Sequence, residues 1–270
     1  MKKRIIYRKP IREQERFVIS TTYKRTKHVR RSLELLQEMY VNRVRFQRLN
    51  ERDAYDYAMA CEEVAIDGVL DSSKNKVKCK IIPMRDEAFS PEKLRMKVYS
   101  AIIKGAKGIE YNSICQGEIM NRFIQEMNYR ITQYGRTLMA LRNVGVYCSP
   151  DVVEMYPDFA KVARPLSESL VLADQDLPEK MAIGEFTDSE GNLYLFYLNL
   201  NYVDKKTRQV TIELKKNFRA YRVNPHDGKQ MLTRDSIDTQ KLMIMPGDAD
   251  LLRYQNVEEE ACLIEYALKR

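Results

Sequence analysis

Near residue 150 the chain changes its period, and this change limits the available folds more than any other feature. Before it, strand-like and helix-like segments alternate. Phe17–Tyr23 is rich in β-branched and aromatic residues and predicts a strand. Thr26–Met39 follows with Val29, Leu33, Leu36 and Met39 on one helical face. Arg43–Leu49 alternates as a strand does, and Asn50 can cap a short helix over 51–62. Val64–Val69 and Val77–Met84 are two more strand patterns. Ser90-Pro91-Glu92 is a helix start, with a capping serine and proline at the first helical position. That helix stops at Gly105. Lys107–Tyr111 predicts a strand, and Gly117–Arg142 a long helix with Ile119, Phe123, Met127, Ile131 and Leu138 among its apolar positions.

After the change, the helical period disappears. Residues 146–176 carry Pro150, Pro157 and Pro165 and predict a connection. Short strands then recur at Met181–Phe186, Leu193–Asn199, Gln209–Leu214, Phe218–Val223, Lys241–Met245, Leu251–Tyr254 and Cys262–Leu268. Turn residues such as Asp188-Ser-Glu-Gly191 and Pro246-Gly247-Asp248 separate them. Alternation of strand and helix implies parallel strands with right-handed crossovers. Closely spaced short strands imply an antiparallel sandwich. The expected fold is therefore an α/β part over 1–145, a connection over 146–178 and a β-sandwich over 179–270. Five or six strands cannot make a complete eight-stranded barrel, which needs about 250 residues. The first part is expected to be a small open sheet or an incomplete, TIM-barrel-like one.

Charge is distributed unevenly. The formal net charge is +8, but residues 1–50 hold 15 basic and 4 acidic side chains, and the rest holds 31 and 34. The basic excess thus belongs to the N-terminal segment. Tyr7, Tyr23 and Phe46 are interleaved with it, a pattern that suits nucleic acid or another polyanion. Arg43, Arg45 and Arg48 are the candidate contacts. The other reading makes them a charged strand edge that resists unwanted pairing. No apolar run approaches the about 20 residues of a membrane-spanning helix, and the basic start lacks the apolar core of a signal peptide. Five scattered cysteines and two histidines offer no metal spacing and suit a reducing compartment, the cytoplasm. No phosphate loop is present: Gly105-Ala-Lys-Gly108 lies between a helix and a strand, the reverse of the order a dinucleotide site needs. No cofactor is expected.

Three stretches resemble a known family. Pro91-Glu-Lys-Leu-Arg through Gly105-Ala-Lys-Gly-Ile-Glu-Tyr111 is similar to the seventh helix and eighth strand of a glycoside-hydrolase (β/α)8 barrel of the β-galactosidase type. Gly184–Asn199 resembles the first hairpin of the β domain that follows such barrels, and Met245-Pro-Gly-Asp-Ala-Asp-Leu-Leu-Arg253 its closing segment. The resemblance covers about residues 60–270. It implies that Val64–Val69 stands for strand six and Val77–Met84 for strand seven, with the front of the barrel missing. It also implies a carbohydrate ligand and an exposed sheet edge, hence a homo-oligomer or a partner chain that completes the sheet.

Such barrels place reacting groups at the C-terminal ends of their strands. Glu87 follows the seventh strand, and the resemblance makes it the nucleophile of a retaining glycosidase. That chemistry needs two carboxyls about 5–5.5 Å apart. The family's second carboxylate stands in an Asn-Glu pair, which this sequence lacks. Asp67 and Glu110 are the substitutes by topology, and Arg85, Tyr111 and Asn112 the candidate substrate contacts. Each has a plainer reading: Glu87 as a solvated loop acid, Asp67 as a strand terminator, Tyr111 as a core aromatic. The chain also has no tryptophan, the ring that sugar sites often use against apolar C–H faces. A non-catalytic binding or assembly subunit and a polyanion binder remain the alternatives.

Overall fold

The computed structural model describes residues 18–23, 29–46, 59–60, 67–70, 79–82, 90–111, 118–166, 170–172, 177–204 and 206–256. They form two compact units. The first comprises 1–91 and 106–139, the second 92–105 and 140–270.

The first unit holds five strands: β1 Val18–Tyr23, β2 Arg43–Phe46, β3 Asp67–Leu70, β4 Cys79–Ile82 and β5 Gly108–Tyr111. Every pairing is parallel, in the order β3-β2-β1-β5-β4. Helix α1, Val29–Glu38, joins β1 to β2. Helix α2, Pro91–Ile103, precedes β5, and helix α3, Glu118–Ala140, follows it. Ile19, Val44, Ile109 and Tyr111 are buried, as are Leu33 and Leu36 of α1. From α3, Ile124, Met127, Ile131, Tyr134 and Leu138 recur at three, four, three and four residues, which makes one stripe. Each such apolar side chain contributes on the order of 1.5–3 kcal/mol on burial. The stripe is rotated from the expected one: Ile119 is 82% exposed. The last turn of α3 is held by Lys107, whose ammonium donates to the Leu138 and Met139 carbonyls. A cation is favourable against these carbonyls.

Strand order corrects one expectation. The segments likened to strands six and seven, now β3 and β4, are not neighbours. They form the two edges of the sheet, while β5 pairs with β1. The hydrogen-bonded sheet is open among the described residues.

The second unit is built on one antiparallel sheet of seven strands. These are β6 Arg142–Cys148, β7 Leu170–Leu172, β8 Met181–Thr187, β9 Leu193–Asn199, β10 Arg208–Val223, β11 Gln230–Ile244 and β12 Ala249–Asn256. Their order is β11-β10-β12-β9-β8-β6, with β7 beside β10. Short helices α4, Pro150–Met155, and α5, Pro157–Ala160, follow β6. The expected connection thus holds a strand and two helices. The two expected strands around 209–223 are one, and one hydrogen-bonded sheet stands where two packed sheets were expected. The reason lies in β10. Its first half pairs with β7 and its second with β12, and its register with β11 shifts between Glu213 and Phe218. Such irregularities bend a strand. Val210, Ile212 and Ile244 share a core with Ile183, Leu195, Tyr197, Leu252 and Tyr254.

The opposite face of β8 and β9 receives α2. The Tyr99 ring meets Phe196 edge-on at 5.6 Å. A Cβ on Gly184 would come within 2.9 Å of the Ile103 Cβ, and one on Gly247 within 2.7 Å of the Glu92 carbonyl. Gly247 also has φ of +65°, so glycine is required there twice over. Burial on both faces explains why β8 and β9 are nearly continuous apolar runs rather than alternating ones.

Candidate functional site

Strand register brings together residues that are far apart in sequence. Ile81 pairs with Glu110, Glu110 with Ser20, Ser20 with Arg43, and Arg43 with Asp67. These five positions form one row across the whole parallel sheet. Side chains alternate between faces along a strand, so the next row of this face holds Thr22, Arg45 and Val69. The other face holds Ile19, Ile109, Val44, Thr21 and Tyr111. By register, the row of Ser20, Arg43, Glu110 and Asp67 belongs to one face of the sheet, and the row of Ile19, Ile109 and Lys80 and that of Thr21, Val44 and Tyr111 belong to the other.

The connections explain this division. The steps β1 to β2, β2 to β3 and β4 to β5 all move in the same direction across the sheet. A right-handed crossover from β1 to β2 puts α1 on one side of the sheet. The Tyr111 hydroxyl donates to Asn128 Oδ1 of α3 at 2.8 Å, and Asn128 Nδ2 donates to the Met39 carbonyl beyond α1 at 2.8 Å. Helices α1 and α3 thus lie on the Tyr111 face, and the row of Ser20, Arg43 and Glu110 belongs to the other.

Within the row, Ser20, Arg43 and Glu110 are 1%, 4% and 3% exposed. The Ser20 hydroxyl donates to the Ile109 carbonyl at 3.4 Å. Neighbouring strands lie about 4.8 Å apart, so Glu110 and Arg43 flank Ser20 at about that distance on either side, and Asp67 stands one strand beyond Arg43. Chemically, the face offers acids, hydroxyls and cations within one sheet, the groups that recognise or transform polyhydroxylated ligands.

The sequence-derived candidates divide into three groups. Asp67, Glu110 and Arg43 fall in one register row of the sheet, with Arg45 two positions along β2, although they were proposed for two different functions. Tyr111 is on the other face; its ring is fully buried and its hydroxyl is used by Asn128, so it pins α3 to the sheet. Arg85, Glu87, Asn112 and Arg48 lie outside the described residues, as do residues 1–17 and Cys262–Leu268. The edge-strand reading of Arg43 is corrected: β2 has a partner on each side, and Arg43 is almost inaccessible. Sequence reasoning missed Ser20 and Thr22. Their signal was parity, since they share the alternation that places Arg43 and Arg45 together.

Asp248 and Asp250, a pair suited by type to a cation, have other partners. The Asp248 carboxylate accepts from the Ala249 backbone at 2.9 Å and from Arg95 at 3.4 Å, and Asp250 accepts from Arg222 at 2.9 Å. No group of three or more metal-ligating side chains occurs among the described residues. None of the described helices is long and apolar enough to cross a membrane.

No protein-family model matches the chain, and no curated protein matches it. Solved structures do. A β-L-arabinopyranosidase of glycoside-hydrolase family 27 from Geobacillus stearothermophilus is 12% identical, with a TM-score of 0.36, over 84% of this chain and 47% of that one. α-Galactosidase I from Mortierella vinacea is 9% identical, with a TM-score of 0.36, over 82% and 54%. The catalytic domain of a family 30 xylanase from Talaromyces cellulolyticus is 10% identical, with a TM-score of 0.28, over 84% and 55%. The chain spans about half the length of these structures. Likeness at this level assigns no residue and no activity.

Proposed function

We propose that the chain is a reduced glycoside-hydrolase-type protein that acts on or binds carbohydrate through the polar face of its parallel sheet. The observation that carries this reading is the row Glu110–Ser20–Arg43–Asp67 on the side of the sheet away from α1 and α3. Strand order supports it. In β4-β5-β1-β2-β3 every neighbour is consecutive in sequence except the pair β5–β1, which joins last to first. A (β/α) barrel has that cyclic order, with its helices on one side of the sheet. On this reading the chain keeps the closing seam of a barrel and lacks strands between β3 and β4, rather than its front. The sequence resemblance over residues 91–111 and 184–253 supports the same class.

In this role, Glu87 is the nucleophile candidate beyond β4, with Asp67 or Glu110 as the second carboxylate. Arg85, Asn112 and Arg43 orient hydroxyls. Retaining hydrolysis requires two of these acids about 5–5.5 Å apart. The test is turnover of a panel of chromogenic glycosides by the parent chain and by Glu87→Gln, Glu110→Gln and Asp67→Asn, with calorimetric binding of the matching sugar. Loss of at least 100-fold in kcat in two of the three variants, each folded by circular dichroism, is expected. Absence of both turnover and sugar binding in the parent removes the reading. Binding without turnover leaves the non-catalytic form of it.

A further inference from the structure

The antiparallel sheet carries a second polar arrangement, remote in register from the contacts with α2. On the face that bears Phe196 and Gly184, strand pairing continues from Tyr194 of β9 to Arg253 of β12, Tyr221 of β10 and Leu232 of β11. The α2 contacts fall at Phe196, Gly184 and Gly247. Away from them the same face opens to solvent: Leu232 is 52% exposed, Gln230 is exposed, and Tyr221 and Arg253 are half-buried.

These side chains form an ordered chain. Arg253 Nη1 donates to Gln230 Oε1 at 2.9 Å, and Gln230 Nε2 donates to the Tyr194 hydroxyl at 3.4 Å. The Arg253 guanidinium lies 5.7 Å from the Tyr221 ring centre. Every one of these partners is neutral. No carboxylate of the described residues lies within ion-pair distance of Arg253, and its buried Nε has no hydrogen-bond partner. Asp188 accepts from the Glu190 and Asn192 backbones and from the Asn192 amide and also engages the Tyr194 hydroxyl, but it makes no ion pair with Arg253. A partly desolvated cation without a counter-charge is unfavourable by itself and gains on meeting an anion. Arg219, two residues before Tyr221 on the same face, adds positive charge. An aromatic ring and an exposed leucine beside a guanidinium match a sugar ring that has an apolar face and a carboxylate.

We propose that this half of the sheet face binds an acidic carbohydrate chain, with Arg253 pairing a uronate carboxylate and Tyr221 and Leu232 meeting the sugar's apolar face. The proposal rests on the carbohydrate reading above but concerns a different surface. The probe is sodium polygalacturonate, with the same polymer after carboxyl reduction as the uncharged control, titrated calorimetrically into the full chain. The parent is expected to bind the uronate polymer at least tenfold more tightly than the reduced one. Arg253→Gln is expected to lose at least tenfold, and Tyr221→Ala three- to tenfold; if Arg253→Gln does not fold, Tyr221→Ala and Leu232→Ser carry the comparison. Equal affinity for the reduced polymer, equal affinity in the folded variants, absence of binding, or tighter Arg253-dependent binding of a single-stranded oligonucleotide each overturns the proposal. Turnover of small glycosides is read separately on the parent. Turnover without polyuronate binding removes this inference alone, and polyuronate binding without turnover or small-sugar binding removes only the parallel-sheet site.

Discussion

Tyr197 and Tyr254 show how single residues bind this protein to a pH range. Their hydroxyls share a 2.8 Å hydrogen bond in the core of the antiparallel sheet. Burial is the main reason that both phenols are held well above their ordinary range, and Tyr194 and Tyr156 are raised by the same cause. An acid whose pKa is higher folded than unfolded keeps its proton in the folded state after the unfolded chain has lost it. Stability is therefore unaffected below the unfolded tyrosine value of about 10 and falls as pH rises through and beyond it. Alkaline unfolding with a tyrosinate absorbance step that coincides with loss of structure is expected. Tyr197→Phe should flatten the slope of stability against pH above 10, measured by urea unfolding at successive pH values; an unchanged slope counts against this assignment. Cys148 follows the same physics, pushed up to about 12 by burial despite nearby Lys104, and so is not a reactive thiol at neutral pH.

Helix α2 is the element whose sequence signals and tertiary role differ most. Its start at Ser90-Pro91-Glu92 and its stop at Gly105 are visible in the sequence, and the structure bounds it at Pro91–Ile103. Its partners are not visible. Eight of its thirteen residues are buried, so its apolar residues do not form a single stripe from which a facing sheet could be read. Contacts at Phe196, Gly184 and Asp248 tie it to the second unit, although it stands between two strands of the first. Tyr99→Ala removes a fully buried ring and should cost about 3–5 kcal/mol. A drop of several degrees in the melting midpoint, by calorimetry, is expected. A change of less than one degree would mean that α2 contributes little to that unit. The strands show the complementary case. β8 and β9 were legible to within a residue because turn residues bracket continuous apolar runs. β6 was not, because Arg142-Asn-Val-Gly-Val has no alternation to distinguish it from a loop; only its pairing with β8 makes it a strand.

At the scale of the whole molecule, the chain passes between its two units three times, at 91–92, 105–106 and 139–140. The change of sequence period near residue 150 is therefore not a place where the protein can be divided. A fragment of residues 146–270 lacks most of β6, which pairs with β8, and all of α2, which covers β8 and β9. Exposed apolar strands of this length pair with one another. The fragment is expected to give a poorly dispersed amide spectrum and no cooperative melt, in contrast to the full chain. A dispersed spectrum with a cooperative transition would show that the sheet does not depend on the missing elements.

The sequence by itself determined most of the described helices and strands, though not β6, β7, α4 or α5, and which half is parallel and which antiparallel. These follow from local period, capping and turn chemistry, all properties of neighbouring residues. It also marked Asp67 and Glu110 through the resemblance to a barrel family, and Arg43 and Arg45 through the basic N-terminal segment. Only the tertiary structure decided that they belong to one row. Register is a relation between strands, and Ser20, Arg43, Asp67 and Glu110 are separated by up to ninety residues. Strand order decided the rest. Because β2 lies between β1 and β3, Arg43, which resembled a solvated edge charge, is almost inaccessible in the middle of the parallel sheet.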